Sequence, residues 1–500
     1  MGEEQTARLG ESGYGRRLID GSGPDARNLV MIRHPDNSIL PAISRRQLLA
    51  QTGQGFGLLS LAALLQSESK AGSQAVNSAP LSTPNTGHHQ ARAKRVIFLF
   101  MNGGPSQVDL FDPKPRLIRD HGKPLPFEKP KLARTTTENI MGCPFPFQQC
   151  GQSGIELSTL LPQIGSCIDD ICVVRSMVAD NINHSNACLQ MMTGEEVFSR
   201  PSLGAWTLYG LGSESQNLPG FISVCAGGQD AALWGSSFLP AAYQGTWIKD
   251  LKRPIANLAN PRLLASQQRV QLDSVMKLNQ LHQRQREADS RLEARIQSFE
   301  LAFRMQVEAP DAFNIELETE PVQRMYGIDE PHSAAFGKQC LLARRLIERG
   351  VRFVQLFTPV NWDHHTNITR GLPANCLATD KPVAGLLKDL KQRGLLDDTL
   401  VIWGGEFGRT PVAQKGDGRD HHPFGFTTWM AGGGVKGGIT HGATDEFGWN
   451  STESPVHVHD LHATVLHLLG IDHERLTYRY SGRDYRLTDV HGKVVNEILV

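Results

Sequence analysis

The strongest constraint on the fold is a set of short, wholly apolar runs that end at glycine or at a polar turn. Residues 96–101 and 400–403 are the clearest, and such runs are typical of parallel strands covered on both faces. Helical patterns at 334–349 and 381–393 each precede an apolar run, at 351–357 and 400–403, as in repeated βα units. The sequence therefore predicts an α/β fold with a doubly wound, mostly parallel sheet and helices on both faces.

The segment before the first apolar run carries export signals. Residues 1–43 are rich in Gly, Asp, Glu and Arg without periodicity, which is typical of a disordered leader. Residues 44–73 place twin arginines before a short apolar run, as in a Tat-type signal segment, and a linker follows at 74–93. That run is too short for a stable transmembrane segment; a buried amphipathic helix is the other interpretation. We expect use of the Tat export machinery, a periplasmic or extracellular location and a folded domain over 94–500.

The charge balance and the cysteine spacing argue against two classes of ligand. The 51 basic and 51 acidic residues balance, which argues against a nucleic-acid partner. The eight cysteines contain no CxxC pair, which argues against a thiolate zinc ribbon. Cys143 with Cys150, or Cys167 with Cys172, could form disulfides after export, whereas free buried thiols suit a chain that folds before export.

Apolar residues also recur at threes and fours among charged ones over 262–306, which predicts a long helical insertion with a solvated face. The insertion could cover a site or form a dimer surface.

Acidic and histidine residues follow the late apolar runs. After 400–403 come two glycines, Glu406 and Arg409, and a polar loop then carries His421 and His422. In open α/β sheets the carboxyl ends of the strands form the ligand crevice, so we expect these side chains there. Neutral imidazole nitrogen and anionic oxygen suit a zinc-like or manganese-like cation. A solvated loop with two chance histidines is the alternative.

The first apolar run leads into Asn102 and a glycine turn, with Asp109 close behind. This turn lacks both the GxGxxG spacing and a Walker lysine, which argues against a nucleotide cradle. Asp109 is either a site acid or the cap of a turn.

Asn183, His184 and Ser185 precede a predicted helix. Backbone N–H groups at a helix start can bind an oxyanion, and the polar side chains can equally cap the helix.

Together these motifs resemble the domain of unknown function 1501 family, a sulfatase-like, often Tat-exported family of the alkaline-phosphatase-like superfamily. The resemblance covers residue 94 to the C-terminus and implies an alkaline-phosphatase-like fold. The matching segments are VIFLFMNGGPSQVDLFDPKP (96–115), NHSNACLQMMTG (183–194), NWDHHTN (361–367), GGEFGRTP (404–411), GRDHHPFGFTTWMAGGGVKGG (418–438) and HDLHATVLHLLGID (459–472).

The resemblance implies one or two divalent cations, with Zn, Mn, Ca and Mg as candidates. Asp363 and His365 resemble ligands of a first cation, and His421 resembles the later imidazole of the same cation. Glu406 and Asp109, together with His184, could hold a second one.

The resemblance also implies a changed reaction centre, because superfamily members carry Ser, Thr or a formylglycine-forming Cys where this chain has His184. We expect His184 and Arg409 to be catalytic, with Arg409 as the bidentate partner of anionic oxygens and a structural ion pair as its alternative. Asn102, Ser185 and His422 are expected to contact the substrate.

The predicted function is that of an exported, metal-dependent hydrolase of sulfate or phosphate esters, acting through a metal-activated water. Its partner would be an anionic ester, with a sulfated glycan among the candidates. The alternative is a catalytically degenerate protein that binds an anionic glycan or a cell-surface partner. Loss of the hydroxyl nucleophile favours that alternative and argues against a phosphomutase.

Overall fold

The computed structural model describes residues 87–128, 139–224, 230–254, 264–284, 290–414 and 416–500. All of them belong to the compact unit Ala75–Val500. The predicted leader at 1–43, the Tat-type segment at 44–73 and most of the predicted linker lie outside the described residues.

Seventeen strands and eleven α-helices are formed by the described residues. The strands are β1 (Arg95–Phe100), β2 (Phe147–Cys150), β3 (Ile155–Ser158), β4 (Ile171–Val178), β5 (Phe221–Val224), β6 (Thr246–Ile248), β7 (Phe353–Phe357), β8 (Thr399–Gly404), β9 (Gly408–Gln414), β10 (Gly418–His422), β11 (Phe426–Ala431), β12 (Ile439–His441), β13 (Ala443–Thr444), β14 (Ser451–Glu453), β15 (Val456–His457), β16 (Tyr478–Tyr480) and β17 (Arg483–Tyr485). The helices are α1 (Gln107–Leu110), α2 (Pro115–Arg119), α3 (Pro162–Gly165), α4 (His184–Thr193), α5 (Leu203–Leu211), α6 (Ala265–Arg284), α7 (Ser290–Phe313), α8 (Glu320–Met325), α9 (Ala334–Glu348), α10 (Ile368–Gln392) and α11 (Val458–Leu468).

The centre of the molecule is a nine-stranded sheet. Its strands lie in the order β12-β4-β11-β8-β1-β7-β5-β6, and β15 also pairs with β4. Every pair in this sheet is parallel except the two that β11 makes, with β4 and with β8. The prediction of a mostly parallel α/β sheet is confirmed.

Both faces of the sheet are covered, as β1 shows. Ile97 and Leu99 point into one apolar core with residues of α9 and α10. Val96, Phe98 and Phe100 point into a second core with residues of α4, α5 and α11. Because all five side chains are almost wholly buried, an unbroken apolar run is the pattern such a strand needs. Truncating Leu99 to Ala would cost about 2–5 kcal/mol of stability.

The segment expected to be a polar loop is instead a β-hairpin. Strands β9 and β10 pair antiparallel, with His421 opposite Arg409. Strand β11 then runs back antiparallel to β8, so it begins beyond the carboxyl end of β8. Residues just before β11 therefore lie at the same sheet edge as the carboxyl ends of β1, β4, β7 and β8.

Helix α10 begins well before the predicted start at residue 381 and contains Pro373 and Pro382. Each proline removes a backbone hydrogen bond, a cost that sequence reasoning takes as a helix boundary. Burial of apolar residues such as Leu372, Leu386 and Leu390 offsets that cost.

The seven cysteines in the described part of the chain are all unpaired. Within the same residues, no helix combines the length and the apolar character needed to cross a membrane.

Candidate metal centre

Four potential metal ligands meet at the carboxyl edge of the central sheet. Asp363 and His365 lie in the loop after β7, His184 is the first residue of α4, and His421 lies in β10. One ligand atom from each of these residues lies within 4.8 Å of the others. Three separate segments of the chain thus converge on one point.

Asp363 is at the middle of this cluster. Its Oδ1 atom lies 3.0 Å from Nε2 of His365 and 3.2 Å from Nε2 of His421. Its Oδ2 atom lies 3.3 Å from Nε2 of His184. All three imidazoles therefore present the same ring nitrogen to one carboxylate.

The opposite ring nitrogen of each histidine is held by an acceptor that cannot donate. Nδ1 of His184 donates to Oε1 of Glu406 at 2.6 Å, Nδ1 of His365 to Oε1 of Gln414 at 2.5 Å, and Nδ1 of His421 to the Ile182 carbonyl at 2.6 Å. Since Nδ1 carries a proton in each ring, Nε2 is the nitrogen that can offer a lone pair at the centre of the cluster once it is deprotonated. Metal-ligating histidines are oriented in this way.

The charges of the cluster fit a cation. Burial opposes protonation of His184, but its contacts with Asp363 and Glu406 outweigh burial and raise its pKa to about 9. The hydrogen bond to Asp363 raises the pKa of His365. Burial works against ionisation of Asp363, yet the three imidazoles hold its pKa far below the ordinary value. Protons on imidazoles thus balance the carboxylate in the metal-free protein, and a divalent cation would replace them.

Glu406 lies behind His184 and is fully buried. The backbone N–H of Gly103 donates to both of its carboxylate oxygens, at 3.0 and 3.2 Å. Gly103 has a φ of +109°, and a Cβ there would lie 2.6 Å from the backbone nitrogen of Asp363. The glycine turn after β1 therefore allows the backbone to approach Glu406. Glu406, predicted as a ligand of a second cation, instead orients His184.

Arg409 has no exposed surface, and this corrects its predicted role. Its guanidinium donates to the carbonyls of Gly103, Gly104 and Arg419 and to Oδ1 of Asp363. Burial lowers the pKa of Arg409. Four of its five N–H donors are occupied and the side chain has no exposed surface, so Arg409 forms the structural ion pair that was the alternative from the sequence.

Asp109 lies apart from the cluster. Arg419 donates to both of its oxygens, at 2.7 and 2.9 Å, and Ser106 adds a third hydrogen bond. Both charged side chains are fully buried. Asp109 is therefore half of a structural ion pair. Among the described residues, a single group of potential ligands is close enough to hold an ion, which leaves the second predicted cation without a ligand set.

The three predicted substrate residues are scattered. His422 is fully buried and bonded to the Trp449 carbonyl, and burial lowers its pKa to about 4. Ser185 is exposed at the start of α4, where its N–H is capped by Asn183. Asn102 is half-buried, and its carbonyl accepts from Trp362.

Sequence reasoning missed Gln414 and the Ile182 carbonyl, which anchor two of the three imidazoles. Gln414 ends β9, and the Asp417-Gly418 pair that follows is a hairpin signal that could have placed it opposite β10. A backbone carbonyl leaves no trace in the identity of its residue, so nothing in the sequence marks Ile182.

Comparisons with known proteins place this centre in context. A family model described as "Protein of unknown function (DUF1501)" matches residues 93–499. A search of curated proteins found no match.

Three solved structures illustrate what the fold is similar to. A sulfatase from Pseudoalteromonas sp. is 11% identical with a TM-score of 0.34, covering 77% of this chain and 69% of its own. A phosphonate monoester hydrolase from Silicibacter pomeroyi is 10% identical with a TM-score of 0.37, covering 81% and 76%. A protein in the alkaline phosphatase superfamily from Vibrio parahaemolyticus is 12% identical with a TM-score of 0.34, covering 79% and 71%. At these scores the likenesses add nothing about activity, which must come from the site.

Proposed function

The chain belongs to the DUF1501 family, as its motifs predicted, and we propose that it is a metal-dependent hydrolase of sulfate or phosphate esters. One observation carries this proposal. Three imidazoles, each fixed through Nδ1, turn Nε2 toward the single carboxylate of Asp363. A structural hydrogen-bond network has no need of three rings in the same orientation around one acid, whereas a cation does.

The residues that would hold the cation are His184, Asp363, His365 and His421. Nitrogen and carboxylate ligands of this kind suit Zn²⁺ or Mn²⁺ better than Ca²⁺ or Mg²⁺, which prefer oxygen. When bound, the cation would activate water and stabilise charge on the oxygens of an ester.

The nucleophile is proposed to be water, because none of the four residues of the cluster, His184, Asp363, His365 and His421, carries a hydroxyl. His184 stands where the superfamily carries a nucleophilic side chain, and its Nδ1 is committed to Glu406. Its Nε2 faces Asp363, so neither ring nitrogen is directed at an incoming ester. The proposed work of His184 is therefore to hold the cation.

The proposed substrate is an anionic ester, and a sulfated glycan is one candidate. The positive end of α4 begins at His184 and would favour the anionic head group. Arg409 does not take part, since its donors are used inside the protein.

Hydrolysis of aryl sulfate and aryl phosphate esters by metal-loaded protein tests the proposal. Turnover should be lost in Asp363→Ala and His365→Ala together with bound metal. His332→Ala is the matched control, because His332 pairs with Glu330 at 3.0 Å outside the cluster, and it should retain both. Metal binding without turnover of any ester would favour a binding protein instead.

Export through the Tat machinery, to the periplasm or beyond, is a second part of the proposal and rests on residues 44–73 alone. Replacing Arg45 and Arg46 by lysine should retain the protein in the cytoplasm, as measured by cell fractionation. Unchanged export would contradict it.

A further inference from the structure

A cavity of about 480 Å³ lies along helix α4, next to the candidate metal centre. Leucines and a thiol form its apolar wall, and a hydroxyl and two carboxylates form its polar part. The lining residues that matter here are Ser185, Cys188, Leu189, Glu196, Asp230 and Leu233.

The cavity and the metal centre both include residues of helix α4. Ser185 directly follows His184, and Cys188 lies one helical turn further on. Burial and the neighbouring Glu406 carboxylate raise the pKa of Cys188, which places this cavity-lining thiol beside the acid that orients His184. The first turn of α4 thus carries both a residue of the cluster, His184, and a residue of the cavity, Ser185.

The loop that anchors the cluster also contacts the cavity. Oε2 of Glu196 accepts from Asn181 at 2.8 Å, and the next residue, Ile182, supplies the carbonyl that holds His421. The two sites are thus tied to one short segment between β4 and α4.

The charge of the cavity is negative and uncompensated. Among the described residues, no lysine or arginine lines it, and neither Glu196 nor Asp230 forms an ion pair there. Arg200, the nearest basic residue along the chain, pairs with Glu195 and Asp489 instead, at 2.8 and 3.2 Å.

We propose that this cavity takes the alcohol part of the ester and selects an alcohol with a positive charge, such as an ammonium group. This inference rests on the proposed function, because the cavity can hold a leaving group only in a hydrolase. Two carboxylates attract a cation, whereas an anionic alcohol would meet like charges next to a low-dielectric apolar wall.

Three phosphate monoesters of similar size test the selection: 2-aminoethyl phosphate, propyl phosphate and carboxymethyl phosphate. We expect kcat/KM to fall roughly tenfold at each step from cation to neutral to anion. In the double variant Glu196→Gln with Asp230→Asn, the three values should converge. Equal kcat/KM values for the three esters in the unmodified protein, or the same differences among them in the double variant, would overturn the inference.

A binding measurement separates this inference from the proposed function. Choline and its uncharged isostere 3,3-dimethylbutanol can be compared by saturation-transfer NMR, without any turnover. Choline should bind roughly tenfold more tightly than the isostere to the unmodified protein and to Asp363→Ala, and should lose that advantage in the double variant. Loss of hydrolysis with choline binding intact would refute the hydrolase alone; equal binding of both probes would refute the cavity's role.

Discussion

Replacing Glu406 by Gln tests whether the cluster is built to bind metal. The side chain keeps its size and its burial, but a carboxylate that accepts from His184 Nδ1 at 2.6 Å and twice from Gly103 becomes an amide with one acceptor oxygen. If the amide oxygen takes the Oε1 position, it still accepts from His184 Nδ1 and Gly103, but the amide N–H₂ then faces the Gly103 N–H at the Oε2 position. If the side chain is flipped, the N–H₂ faces the Nδ1–H of His184 and His184 loses its anchor.

In either orientation the buried amide N–H₂ faces another N–H donor, which costs about 1–3 kcal/mol of stability. Because a neutral amide holds the His184 imidazole less firmly than a carboxylate does, we expect metal affinity to fall by about 10–100-fold, the usual effect of changing an outer partner of a ligating histidine. Competition titration with a chromophoric chelator measures the affinity, and denaturant unfolding measures the stability.

The matched control is Glu330→Gln, because Glu330 also pairs with a histidine, His332, but lies outside the cluster. It should leave the affinity for metal unchanged. A Glu406→Gln protein that binds metal as tightly as the unmodified protein would refute the assignment of Glu406 as the residue that orients His184.

Three further predictions follow from the same contacts. Metal affinity should rise about tenfold per pH unit below pH 9, because His184, with a pKa of about 9 in the metal-free protein, must lose its proton to bind. Calorimetric titration at several pH values would show this slope, and an affinity that does not change with pH would contradict it. Since that pKa is raised above the unfolded value of 6.5, its contribution to the stability of metal-free protein is complete below about pH 6.5 and is lost as the pH rises through about 9, so the unfolding temperature should fall over that range. Asp109→Asn should cost about 3–5 kcal/mol, because it leaves the buried Arg419 charge unpaired, whereas Asp484→Asn, in an exposed pair, should cost less than about 1 kcal/mol in the same denaturant unfolding.

The central strands could be predicted because burial on both faces leaves a direct mark on the sequence. The runs at 96–101 and 400–403 correspond to β1 and β8 within one residue at either end. The direction of a strand in the sheet has a weaker signature in the sequence. The apolar run that became β11 looks the same whether it lies parallel or antiparallel, and only the β9–β10 hairpin before it brings it back in the opposite direction.

Part of the site could be predicted for the same kind of reason. Asp363 and His365 follow β7 directly, and the carboxyl ends of parallel strands share an edge, so their position follows from the strand. Which of the nearby carboxylates faces the cluster cannot be predicted from the strand positions. Asp109 and Glu406 carry the same charge and each follows a pair of glycines, and the difference is a partner, Arg419, that only the folded hairpin brings to Asp109.

The buried arginine shows where residue type misleads. Arg409 lies near the site and has the fork geometry that suits an anionic substrate, but three backbone carbonyls, two in the glycine turn after β1 and one in β10, accept from it. Backbone groups must be satisfied wherever they are buried, and this demand is not visible in the one-letter sequence.

The most direct test of the account is the metal content of the purified protein, measured by inductively coupled plasma mass spectrometry after reconstitution with Zn²⁺ or Mn²⁺. One equivalent in the unmodified protein and in His332→Ala, but none in the double variant Asp363→Ala with His365→Ala, is the predicted result. No bound metal in the unmodified protein, or a full equivalent in the double variant, would contradict it.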